Sequence, residues 1–167
     1  MKKRILPSVL LLLLCITLIP SCSDKNEFSH CELTLVLEDG FSEIESSDFD
    51  LLLSNGDVAV SVNRISFAAG FNQGISDTYT AKGFAAFFMH QSKKSDELFM
   101  YGDVPYYTYT EKGENKELFY TVTFYRSKNA YFTVAYATDV QNKDLWSSKF
   151  LEFAENAYFN DASEINS

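Results

Sequence analysis

Basic residues, cysteines, histidines and glycines are all few in this chain, and each scarcity narrows what it can do. Lys and Arg number 14 against 23 Asp and Glu in 167 residues, a formal net charge of -9. Nucleic acid is therefore not expected as a partner, because phosphate binding needs clustered Lys and Arg. Three cysteines (Cys15, Cys22 and Cys31) are too few for a disulfide scaffold, so stability has to come from an apolar core. With 7 Gly and 3 Pro, the chain is neither collagenous nor of low complexity. Two histidines, His30 and His90, leave little for metal binding or acid–base chemistry. The longest apolar run, Ile5 to Ile19, falls short of the ~20 residues of a membrane-spanning helix. What is abundant is hydrophobic: 46% of residues, a third of them aromatic, too many for a disordered chain and suited to one domain.

The amino terminus carries Lys2, Lys3 and Arg4, then the apolar run, then Leu18-Ile19-Pro20-Ser21-Cys22. A basic start, a short apolar stretch and a small-residue exit describe a secretory signal peptide. The exit resembles the lipobox of bacterial lipoproteins, which implies that Cys22 becomes the lipid-modified first residue after a signal peptide of residues 1–21. Cleavage there removes three basic residues and no acidic one, taking the net charge from -9 to -12. An anionic bilayer repels such a chain, so the acyl groups alone must hold it to the membrane. The implied location is the extracytoplasmic side of the bacterial envelope. Residues 22–31 are polar at first and read as a tether between lipid and fold; Asp24 to Glu27 also resemble the surface-export signals of some Bacteroidetes lipoproteins. Cys31 is then left as a lone thiol.

Periodicity takes over from Glu32. Leu33, Leu35 and Leu37 alternate with polar neighbours as a strand ended by Asp39-Gly40. Phe49 to Leu53 and Val58 to Val62 alternate on either side of Asn55-Gly56, which predicts a hairpin with a two-residue turn. Gly70 and Gly74 flank a loop, and Asp77 is expected to cap a helix running to about Gln91. Leu98–Tyr101, Pro105–Thr110, Leu118–Tyr125 and Ala130–Ala137 follow as an antiparallel meander. Asn142 or Asp144 opens a second helix with Trp146, Phe150, Phe153 and Ala154 on one stripe. Residues 161–167 read as a frayed tail.

Along Leu118 to Tyr125, Val122 and Phe124 point one way while Phe119 and Tyr125 point the other. A strand apolar on both faces needs cover on both. The expected fold is α+β: an α/β/α sandwich with an antiparallel sheet of about 6–7 strands and two main helices. The opening Leu33 to Phe41, the hairpin, the aromatic meander and the closing Phe150 to Ala154 with Phe159 resemble the Mog1/PsbP-like sandwich over residues 32–160. That resemblance implies a binding or assembly module and transfers no functional residue.

Chemistry is sparsely supplied. His30-Cys31-Glu32 could contact a metal, but three adjacent side chains do not readily converge on one ion. Glu43, Glu45, Asp48 and Asp50 form an acidic stretch without the glycine or spacing of a calcium loop. No cofactor and no metal are expected. The candidate binding residues are Tyr101, Tyr106, Tyr107 and Tyr109, crowded around Pro105, where exposed rings would stack on a glycan or anchor a protein. The expectation is a non-enzymatic, lipid-anchored binding module; a hydrolase using carboxylates from distant strands is the alternative.

Overall fold

The computed structural model describes residues 25–113 and 116–160; the expected signal peptide (1–21), Cys22 and the expected tail at 161–167 lie outside them. Its centre is the strand with apolar residues on both faces. β8 (Glu117–Arg126) lies between β7 (Val104–Lys112) and β9 (Ala130–Asp139), all antiparallel. With β3 (Ser42–Glu43), β4 (Leu51–Ser54), β5 (Val58–Ser66) and β6 (Phe99–Tyr101) they form a seven-stranded sheet in the order β3-β4-β5-β9-β8-β7-β6. A second, three-stranded sheet has the order β1-β2-β10, from β1 (Lys25–His30), β2 (Leu33–Glu38) and β10 (Tyr158–Phe159).

The two faces of the large sheet carry separate cores. On one, Val122, Phe124 and Tyr131 meet Phe84 and Ala85 of helix α2 (Ala81–Ser92), and Phe84 stacks on Tyr131 at 4.4 Å. On the other, Phe119, Tyr125, Phe132 and Val134 meet Phe150 and Phe153 of helix α3 (Lys143–Asn156) together with Leu33, Leu35 and Leu37 of β2. The expected α+β sandwich is thus present. One layer, however, is composite, because β2 joins the small sheet beside α3 instead of extending the large one.

Several local expectations shift. The residues read as a tether include strand β1, which pairs with β2 in register Lys25↔Glu38 through His30↔Leu33. Its side chains are mostly polar because an edge strand is held by backbone ladder bonds, and only Phe28 reaches the core. The hairpin turn falls on Gly56-Asp57, one residue later than expected. Asn55 N donates to Val58 O, the Asn55 side chain accepts from Val58 N, and Gly56 takes the left-handed φ of +95°. A short helix α1 (Phe67–Phe71), capped by Ser66, occupies part of the expected loop. Thr80, not Asp77, caps α2 by accepting from Gly83 N. The Tyr131 hydroxyl lies 2.8 Å from both Ser76 O and Tyr79 O, which holds that segment in a turn and delays the helix.

Candidate binding surface

The four tyrosines do not form one surface. β7 alternates, so Tyr107 turns towards α2 while Tyr106 turns to the opposite face. Tyr107 is 2% exposed, with its hydroxyl 3.4 Å from Ser92 Oγ, and is part of the core under α2. Tyr109, on the same face, is half-buried where α2 ends. It stacks on Tyr120 at 4.7 Å and 5°, and Lys94 Nζ lies 5.5 Å from its ring. Lys94 also pairs with Glu111. Burial pushes the phenols of Tyr107 and Tyr109 up, and the neighbouring Tyr107, Tyr120 and Glu111 add to the rise at Tyr109. The expectation that Tyr107 offers a binding ring is therefore corrected, because a sheet face covered by a helix has no room for a ligand.

Tyr101 and Tyr106 belong to a different feature. Tyr101 ends β6, the last strand of the large sheet, whose three residues Phe99, Met100 and Tyr101 are all exposed, at 41%, 45% and 37%. Tyr106 stands opposite Phe99, with ring centroids 5.6 Å apart. Apolar residues on both sides of an edge strand leave an aromatic rim beside unpaired backbone groups. Phe99 and Met100 were not foreseen as site residues. Nothing in a three-residue strand tells that it ends the sheet.

The other groups with potential chemistry are committed locally. Cys31 sits in the β1–β2 turn at φ +51°, its Sγ 3.5 Å from His30 Nε2. Glu32 turns inward instead of towards them: Arg64 Nε donates to Oε2 at 3.2 Å and Ser127 Oγ to Oε1 at 2.8 Å. Burial opposes ionisation of Glu32, but the bonds from Ser127 and Arg64 outweigh it and hold the carboxyl below its ordinary range. Ser127 Oγ also accepts from Asn129 N and Ala130 N, which closes the β8–β9 turn. Among the described residues no group of three or more His, Cys, Asp or Glu is placed to hold a metal ion. In the acidic stretch, Asp50 accepts from Arg64 N at 2.6 Å. His90 is exposed on the last turn of α2. A small groove between β2 and α3 is bordered by Lys25, Glu38, Lys149 and Glu152, and Lys149 Nζ donates to Glu38 at 2.9 Å. Among the described residues no helix is long and apolar enough to cross a membrane.

No family model matches the chain, and no curated protein sequence matches it. Solved structures do. A crystal structure from Bacteroides thetaiotaomicron VPI-5482 is similar at a TM-score of 0.61 and 11% identity, over 85% of this chain and 50% of that one, so the chain spans half the length of that protein. The solution structure of cyanobacterial PsbP (CyanoP) from Synechocystis sp. PCC 6803 is similar at a TM-score of 0.52 and 16% identity, over 83% of this chain and 94% of that one. At such identities the likeness is one of fold: the chain is an α+β sandwich, similar in fold to that PsbP structure, with a seven-stranded and a three-stranded sheet.

Proposed function

We propose that the protein is a lipid-anchored, non-enzymatic binding module of the bacterial envelope, held by Cys22 and engaging a protein partner through the β6 edge. The observation that carries the reading is the run Phe99-Met100-Tyr101, three consecutive exposed apolar side chains on the terminal strand of a seven-stranded sheet. An extended partner segment adds to such an edge by backbone hydrogen bonds, while rings on either side select its side chains. The anchor is supported by the basic start, the apolar run and Leu18 to Cys22. It suits a component that acts by being held in place.

A photo-crosslinking residue at Met100, compared with one at Leu145 on α3, tests the edge in intact cells. A discrete adduct from Met100 alone supports it, and no adduct from Met100 overturns it. Metabolic labelling with an alkynyl fatty acid tests the anchor: label should enter the wild type and be lost in Cys22→Ala.

A further inference from the structure

We infer that the domain lies flush on its own bilayer, with the pole where β1 begins against the lipid head groups and the β6 edge turned away from them. The inference rests on the lipid-anchor reading of Cys22 and adds an orientation to it. β1 begins at Lys25 and is paired from its first residue, Lys25 standing opposite Glu38. Only three residue steps separate Cys22 from Lys25. Even fully extended, they reach about 11 Å, less than half the length of the nine-residue strand β5. A lipid at Cys22 therefore cannot hold the domain at a distance; it brings one particular pole down to the membrane.

Sheet register identifies that pole. Glu38 at the end of β2 accepts from Lys149 of α3, and a Cβ placed on Gly40 just beyond would meet Asn55 Cβ of the β4–β5 turn at 3.9 Å. Val58 at the start of β5 is opposite Thr138, and Leu118 is opposite Asp139. The ends of β2 and β9, the starts of β5, β8 and α3, and the β7–β8 turn thus share one pole with Lys25. Lys25, Lys112, Lys116, Lys143 and Lys149 stand here, five of the 11 basic residues after position 21, interspersed with the carboxylates of Glu38, Asp39, Asp57, Glu117, Asp139 and Asp144. Leu145, on the first turn of α3, is 63% exposed at the same pole. The exposed leucine suits the head-group layer and lysine side chains can reach its phosphates, but with as many carboxylates beside them it is the short tether, and not net charge, that sets the contact.

The opposite pole holds the β8–β9 turn, α1 with its exposed Phe71, and β6, which pairs with the first residues of β7. The orientation therefore directs Tyr101 and Phe99 away from the lipid, where a partner can reach them.

The test uses the full-length protein, expressed and processed in its bacterial host and reconstituted into phosphatidylcholine–phosphatidylglycerol vesicles containing head-group spin-labelled lipid. Starting from Cys31→Ser, a fluorophore is attached through Lys116→Cys, Leu145→Cys or Phe71→Cys. Quenching at positions 116 and 145 should exceed that at 71 by at least threefold. Equal quenching at the three positions in acylated protein overturns the orientation and leaves the anchor standing. Uptake of thiol label by the processed Cys31→Ser parent itself would show Cys22 unmodified, and would overturn the anchor and the orientation together.

Discussion

Lys25 stands directly opposite Glu38 in the β1–β2 ladder, and the Glu38 carboxylate in turn accepts from Lys149 of α3 at 2.9 and 3.2 Å. The first strand is thereby fastened both to its neighbour and, through one side chain, to the helix layer. A chain starting at Lys25 should melt cooperatively, with a midpoint insensitive to reductant because Cys31 is the one cysteine among the described residues and is free. A chain starting at Glu32 lacks Phe28 and the whole ladder. Its midpoint should drop by at least about 4 °C, which corresponds to ~1 kcal/mol or more in a domain of this size. Equal melting of the two chains in calorimetry would show that β1 contributes nothing.

Tyr107 and Tyr101 should respond oppositely to truncation. Tyr107→Ala empties a ring-sized volume between Val122, Phe124 and α2, and should cost about 3–5 kcal/mol in urea unfolding. Tyr101→Ala removes an exposed ring and should change stability by less than about 0.5 kcal/mol. A large loss from the second substitution would place β6 in the core.

Glu32 provides an acid-side signature. Its carboxyl is held below the ordinary 4.5, so its contribution is complete above that pH and disappears as pH falls through the lowered folded value. The stability gap between wild type and Glu32→Gln should therefore be widest near neutrality and shrink below pH 4.5. Melting curves taken between pH 2 and pH 7, at intervals of about one unit, read this directly. A gap independent of pH would mean that the bonds from Arg64 and Ser127 do not depend on charge.

Tyr125 provides the alkaline counterpart. Its hydroxyl donates to Ala154 O at 3.0 Å between sheet and α3, and burial pushes its ionisation up from 10.0 to about 12 against the opposing bond from Thr123. The neutral phenol's contribution is complete below pH 10 and lost as pH climbs towards 12. Tyr125→Phe should cost roughly 1–3 kcal/mol at neutral pH by orphaning Ala154 O, yet lose stability less steeply above pH 10. Absorbance at about 295 nm, recorded alongside circular dichroism, separates phenolate formation from unfolding. Parallel alkaline slopes in the two proteins would remove Tyr125 from the account.

The double-faced apolar pattern of Leu118 to Tyr125 was enough to require a covered sheet, because alternation with period two sends Phe124 and Tyr125 to opposite sides wherever the strand lies. The aromatic stripe of α3 was legible for a similar reason: Trp146, Phe150 and Phe153 can share a face only in a helix. Sequence alone also carries the reading of Leu18 to Cys22, which lies outside the described residues. Tertiary contacts decided the rest. β1 has hardly any side-chain signature, since an edge strand is recruited by its neighbour's free backbone groups. The start of α2 depends on a hydroxyl from Tyr131, some fifty residues away. Whether Tyr107 or Tyr101 faces solvent depends on where α2 comes to rest across β7 and β8. Long-range packing of this kind leaves no local trace, because it is set by which surfaces meet and not by the order of residues along either one.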